Sequence, residues 1–102
     1  MKILIYETRE DELEAIHKLG KELPIELQTT SEIPSMENVS MAEGCDGISI
    51  LGQGRIDGPF LEALAKHNVH YISTRTIGYN HIDLKYAEKL GIHVCNASYA
   101  PN

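Results

Sequence analysis

The stretch Ser73-Thr74-Arg75-Thr76-Ile77-Gly78-Tyr79-Asn80-His81-Ile82-Asp83 gathers a glycine, a cation and several hydroxyls. A glycine in a loop can take a positive φ, and consecutive backbone N–H groups can then converge into a nest that holds a carboxylate. Gly78 is placed to do this, and Arg75 would add positive charge at the same edge. A turn glycine and a surface arginine explain the same residues equally well, so residue chemistry alone leaves both readings open.

A second stretch, Gly52-Gln53-Gly54-Arg55-Ile56-Asp57-Gly58, invites a dinucleotide reading. The GxGxxG spacing needs glycine at position 57, where Asp57 stands. A carboxylate there would repel a pyrophosphate at a helix N-terminus. No strand-end acid about 20 residues further on offers a ribose contact. Asp57 reads better as a helix N-cap, with the glycines serving a tight turn.

The five histidines, His17, His67, His70, His81 and His93, form no HxxxH or HExxH arrangement. His81, in the first stretch, reads as a loop residue packing locally. Cys45 and Cys95 stand fifty residues apart with no CxxC pattern, so neither a disulfide framework nor a zinc site is expected. Two reduced, buried thiols suit a cytoplasmic protein.

The elements that must position these residues alternate between two periodicities. Ile3–Tyr6 is a short apolar run, as in a strand buried on both faces. Thr8 is the expected cap of a helix, with Asp11 as a capping-box partner and Leu13, Ile16, Gly20 and Leu23 at helical spacing. Pro24 ends this helix, and Ile25–Thr29 reads as a second strand. Ser35 is the expected cap of a short helix with Val39 and Ala42 inward. Asp46–Leu51 is a third strand, and Asp57 opens a helix with Phe60, Leu61 and Leu64 on one face. Val69–Ser73 is a fourth strand. Asp83 caps a helix with Leu84, Ala87 and Leu90 inward and Gly91 as its stop, and Ile92–Cys95 is a fifth strand.

This βαβαβαβαβ pattern implies an α/β fold, a doubly wound, five-stranded parallel sheet in the flavodoxin-like order 2-1-3-4-5. Ligands of such sheets bind beyond the C-terminal ends of the strands, which points to loops 7–9, 52–57, 74–82 and 96–102. Phosphoacceptor chemistry is excluded, because strand three ends Ile50-Leu51-Gly52 with no aspartate to phosphorylate. The loop Glu7-Thr8-Arg9-Glu10 has the wrong charge to cradle a flavin phosphate.

With 102 residues, 42% hydrophobic and 24% charged, the chain makes one domain. A domain of this size buries roughly 65% of its unfolded surface, enough for one core. The net charge of −6 sits in residues 1–43, while residues 44–102 hold five acids and five bases. Without a basic stripe, nucleic acid and anionic membranes are poor partners. The apolar run at the start is too short for a signal-peptide core, and no stretch approaches a membrane span.

The run STRTIGYNHIDLKYAEKLGIHVCNASYAPN resembles the N-terminal catalytic domain of the D-isomer-specific 2-hydroxyacid dehydrogenases, and within them the D-lactate dehydrogenases, including those tied to vancomycin resistance. Three features match in order: the R-x-x-G-x-x-x-I-D loop, the A-E-x-x-G-I-x-V segment and the N-x-x-Y-x-P-N ending. Upstream, DGISILGQG and FLEALAKHNVHYIS also fit.

The resemblance implies that the amides of Ile77 and Gly78 hold the substrate carboxylate. It places Arg75 just before that loop, Tyr99 near the substrate, and Pro101 and Asn102 at the interdomain hinge. With Gln53 from the loop after strand three, the expected substrate-binding set is Arg75, Ile77, Gly78, Tyr99 and Gln53. Two departures stand out. Ala100 replaces a frequent serine, and the loop 52–55 lacks the aromatic that several D-lactate dehydrogenases place over the substrate.

Residues 1–102 are therefore expected to be a partial substrate domain, with no catalytic residue and no metal ligand of their own. NAD, the cofactor domain that binds it and the catalytic arginine, glutamate and histidine of the family would lie outside. The complete enzyme would reduce a 2-oxo acid such as pyruvate to the D-2-hydroxy acid, and the chain alone would be inactive. The alternative is a stand-alone flavodoxin-like module that binds a small carboxylate or a protein without catalysis. The family's C-terminal segment returns to pack on this domain. Without it, an apolar sheet face is expected to lie open and to promote self-association.

Overall fold

A computed structural model describes residues 1–22, 24–76 and 78–96. The chain runs β1 (Lys2–Ile5), α1 (Glu10–Glu22), β2 (Glu26–Thr29), a 3-10 turn (Val39–Ala42), β3 (Gly47–Ile50), α2 (Gly58–Lys66), β4 (Tyr71–Thr74), α3 (Leu84–Lys89) and β5 (His93–Asn96). All strand pairs are parallel, and the sheet order is 2-1-3-4-5. The expected α/β architecture is therefore the observed one.

Alternation along the strands sorts their side chains into two faces. Leu4, Tyr6, Ile48, Ile50 and Ile72 point to one face, where they join Phe60, Leu61 and Leu64 of α2 and Val39 and Ala42 of the 3-10 turn in a single buried cluster. Burying each large apolar side chain of α2 contributes about 1.5–3 kcal/mol. Tyr6 meets Phe60 edge to face, with ring centroids 6.5 Å apart. The Tyr6 hydroxyl donates to the Asn38 carbonyl at 3.0 Å, so this buried polar atom is satisfied.

The opposite face differs along its width. Near β2 it is met by α1, where Gly20 lies so close that a Cβ there would touch Leu27 at 3.6 Å. Leu13, Ile16 and Gly20 are only half-buried, and none of the three joins the buried cluster. Across β3, β4 and β5 the register aligns Gly47 with Tyr71 and His93, and Ser49 with Ser73 and Cys95. Tyr71, His93 and Cys95 are exposed. Across β3, β4 and β5 this face is mixed rather than apolar, with Tyr71 stacked on His93 at a centroid distance of 5.6 Å. Cys45 is buried as expected, whereas Cys95 is exposed because β5 is an edge strand with Cys95 on this open side.

Several caps differ from the sequence expectation. The Thr8 hydroxyl donates back to the Ile5 carbonyl at 2.9 Å and does not cap α1. Instead Glu12 reaches back to the Arg9 amide at 2.9 Å, half of a capping box shifted by one residue. Ser35 caps nothing with its side chain; its amide donates to Asn38 Oδ1 at 2.9 Å and steadies the approach to the 3-10 turn. Asp57 precedes α2 without a side-chain cap bond. Asp83 does cap α3, accepting from the Tyr86 amide at 3.1 Å. Leu84 is exposed, whereas Ala87 is buried and Leu90 is half-buried. Gly91 ends the segment at φ +75°, a conformation other residues rarely adopt. Among the described residues, no helix is long and apolar enough to cross a membrane.

Candidate functional site

The parallel strands end together at one edge of the sheet. Described residues 6–9, 51–57, 74–76 and 78–83 meet there. Tyr6 continues β1, donating its amide to the Ser49 carbonyl at 2.8 Å. Glu7 then turns the chain with φ +55°, uncommon for a non-glycine residue. Its side chain is buried, 5% exposed, and runs beneath the loop after β3. One carboxylate oxygen accepts the amides of Leu51 at 2.5 Å and Gly52 at 3.2 Å, and the other accepts Gln53 at 3.0 Å. Three N–H donors offset the desolvation of this anion.

An amide nest thus exists at this edge, but it lies after β3 and is filled by the protein's own glutamate. Gly52, in this loop, takes φ +103°. The local sequence missed Glu7 because its partners lie 44 to 46 residues away. The signal available was an acid standing directly after a buried strand.

Arg75 follows β4, its amide donating to the Ile50 carbonyl at 2.7 Å. Its guanidinium donates to Ser49 Oγ at 2.7 Å, to the Tyr6 carbonyl at 2.8 Å and to the Glu7 carbonyl at 3.1 Å. Nε lies 3.4 Å from a Glu12 carboxylate oxygen. Arg75 therefore ties together the ends of β1, β3 and β4 and the first turn of α1.

Beyond Arg75, Thr74, Thr76 and His81 converge. Thr74 Oγ1 lies 2.7 Å from Thr76 Oγ1 and 3.0 Å from His81 Nε2. Thr76 Oγ1 donates to the Gly78 carbonyl at 2.8 Å. The two loops are fastened to each other by Ile56 N to the His81 carbonyl at 2.8 Å and Asp83 N to the Ile56 carbonyl at 3.0 Å. A cleft of about 240 Å³ lies between them, lined by Arg55, Ile56, Asp57, Asn80, His81, Ile82 and Asp83. Gly78 is exposed, with open space where a Cβ would stand. Tyr79 reaches toward β5, its hydroxyl accepting the Asn96 amide at 3.0 Å.

Of the expected substrate-binding set, Arg75, Gly78 and Gln53 lie at this edge. The Gln53 side chain is exposed, and its amide is already used by Glu7. Ile77, Tyr99, Ala100, Pro101 and Asn102 lie outside the described residues.

The loop 52–58 does not fit a dinucleotide phosphate. The amides of Gly52 and Gln53 face a carboxylate, and Gly54 is wedged so closely that a Cβ would stand 2.9 Å from the Pro34 carbonyl. Among the described residues, no group of three or more His, Cys, Asp or Glu could hold a metal ion.

Comparison with known proteins agrees with the fold and extends it. A family model, D-isomer specific 2-hydroxyacid dehydrogenase, catalytic domain, matches residues 3–102. An aromatic 2-oxoacid reductase of Clostridium sporogenes is 37% identical over 105 residues, covering 100% of this chain and 31% of that protein. A D-lactate dehydrogenase of Escherichia coli is 30% identical over 94 residues, covering 92% of this chain and 29% of that protein. The solved structure of D-lactate dehydrogenase with NAD+ from Lactobacillus jensenii superposes with a TM-score of 0.89 at 29% identity, covering 99% of this chain and 31% of that one. The chain thus spans about a third of the length of the curated relatives it matches, 31% of the first of them. A family model covering nearly every residue places this chain in the D-isomer-specific 2-hydroxyacid dehydrogenases, within their catalytic domain.

Proposed function

We propose that this domain holds the 2-oxo acid for an NAD-dependent D-2-hydroxyacid dehydrogenase, with pyruvate and D-lactate as the preferred pair. The observation that carries the reading is the match of residues 3–102 to the family's catalytic-domain model. The place of Gly78 supports it. This exposed glycine stands beyond the C-terminal end of β4, where ligands of such sheets bind.

In this reading the backbone amides of Ile77 and Gly78 take the substrate carboxylate. Arg75 acts through the backbone it holds, since its guanidinium is turned toward Tyr6, Glu7, Ser49 and Glu12. Tyr99 closes the substrate side, Gln53 lines the rim, and Pro101 and Asn102 form the hinge. A nicotinamide cofactor supplies or accepts the hydride when bound. NAD is carried by a cofactor domain outside residues 1–102, because the loop 52–58 offers it no phosphate site. A cytoplasmic setting accords with two free thiols.

The test is a titration of the ¹⁵N-labelled chain with pyruvate, followed at the backbone amides, beside an NADH oxidation assay. Shifts centred on Gly78 and its neighbours are expected, without NADH turnover. Shifts centred elsewhere, or none up to tens of millimolar pyruvate, would overturn the reading, as would turnover by the pure 102-residue chain. Phenylpyruvate binding more tightly than pyruvate would replace D-lactate by an aromatic 2-hydroxy acid.

A further inference from the structure

We propose that His81 is a positioning residue of the substrate loop, whose Nε2–H begins a one-way chain of hydrogen bonds through Thr74 and Thr76 to the Gly78 carbonyl. The inference deepens the carboxylate-binding reading above and rests on it for its effect on ligand. The chain itself stands on geometry alone.

Proton bookkeeping sets the direction. A carbonyl oxygen only accepts, so the 2.8 Å contact between Thr76 Oγ1 and the Gly78 carbonyl uses the single hydroxyl proton of Thr76. Thr76 must then accept in its 2.7 Å contact with Thr74, which uses the single hydroxyl proton of Thr74. Thr74 is left to accept in its 3.0 Å contact with His81, so Nε2 must carry a proton. One tautomer of neutral His81 satisfies all three bonds, with Nε2 protonated and Nδ1 bare. The other leaves Nε2 and Thr74 Oγ1 facing each other with no proton between them.

The surroundings hold this chain in place. Thr74 is fully buried at the end of β4, so its hydroxyl has no water to fall back on. The His81 carbonyl accepts the Ile56 amide and Ile82 bridges to Ile56, which anchors the backbone carrying the ring. Gly52 clears the space beside the chain. A Cβ there would stand 2.9 Å from Thr76 Cγ2 and 3.8 Å from His81 Cε1 and Nε2. The far end of the chain orients the peptide that follows Gly78. His81 therefore decides how the loop presents its backbone without touching the ligand.

The test begins on the ligand-free chain. Long-range ¹H–¹⁵N correlations of the imidazole are expected to show the Nε2-protonated tautomer, and the Nδ1-protonated tautomer would overturn the proposal. His81→Gln supplies an N–H at similar reach and is expected to keep the Gly78 carbonyl ¹³C shift. His81→Leu and Thr76→Val are expected to move it. Thr76 is half-exposed, so Thr76→Val keeps the test alive where His81→Leu does not fold. An unmoved Gly78 carbonyl in folded Thr76→Val would overturn the proposal.

Pyruvate affinity is expected to fall about tenfold in His81→Leu, on the scale of one lost hydrogen bond, and to stay within about twofold in His81→Gln. Equal losses in the two variants would reduce His81 to a packing residue. Absence of pyruvate binding by the unaltered chain would count against the carboxylate reading alone, since the tautomer and the Gly78 shift still decide the role of His81.

Discussion

The Glu7 carboxylate accepts the Gln53 amide at 3.0 Å, joining the turn after β1 to the loop after β3 across 46 residues of chain. Glu7 takes three loop amides from a left-handed turn, so two effects oppose each other on substitution. Glu7→Gly relieves backbone strain worth about 1 kcal/mol. It also leaves three amides without their anion, and bonds to a charged group are worth about 1.5–3 kcal/mol each. The loss outweighs the relief, so a net destabilisation of more than about 3 kcal/mol is expected in urea titration. Unchanged stability would show that solvent replaces the carboxylate without cost.

Gly52 carries both a positive φ and a close neighbour, Thr76. Gly52→Ala is expected to cost about 1–3 kcal/mol, from left-handed strain plus the displacement of Thr76. The discriminating measurement is the amide shift of Thr76 and Gly78 beside the melting temperature. A lowered melting temperature with those shifts intact would place the cost in the backbone alone.

Arg75→Lys keeps the charge and loses the fork. A lysine ammonium cannot span Ser49 Oγ and the carbonyls of Tyr6 and Glu7 as the guanidinium does. Stability is expected to fall by about 2 kcal/mol, the cost of stranding part-buried acceptors. If Arg75 instead served chiefly to attract substrate, stability would hold and pyruvate affinity would fall alone.

Burial pushes the Tyr6 hydroxyl up from 10.0 to about 12, with smaller contributions from Cys45 and Glu32. In the unfolded chain this phenol ionises near 10, while in the fold it stays neutral for longer. The folded state therefore holds more protons between pH 10 and about 12, and stability falls as pH rises through that window. Its contribution is fully present below pH 10. Denaturant midpoints measured from pH 9 to 12 are expected to decline less steeply in Tyr6→Phe than in the unaltered chain. Parallel slopes would remove Tyr6 as the cause.

The α/β class and sheet order were legible in the residues because they rest on local patterns. Short apolar runs such as Ile48–Ile50 alternate with helical faces such as Phe60, Leu61 and Leu64, and chain chirality leaves few ways to wind them. Helix ends were less legible. Thr8, Ser35 and Asp57 are all good capping types, yet the Thr8 hydroxyl turns back to the Ile5 carbonyl, Ser35 bonds through its backbone amide, and Asp57 makes no cap bond. A hydroxyl or carboxylate near a helix start has several backbone groups in reach, and small shifts decide among them.

The sequence by itself determined that a glycine and an arginine stand just after the fourth strand of a doubly wound sheet, at the edge where ligands bind. Tertiary structure alone decided what these residues do with their hydrogen bonds. Arg75 turns to Tyr6, Glu7, Ser49 and Glu12, Glu7 fills the amide nest of residues 51–53, and His81 closes a chain through Thr74 and Thr76. Periodicity reports which face a residue occupies, because that depends on its near neighbours along the chain. The partners of Arg75 and Glu7 at the sheet's edge lie 26 to 69 residues away, such as Arg75 and Tyr6 at a separation of 69. Only the folded register brings them within reach.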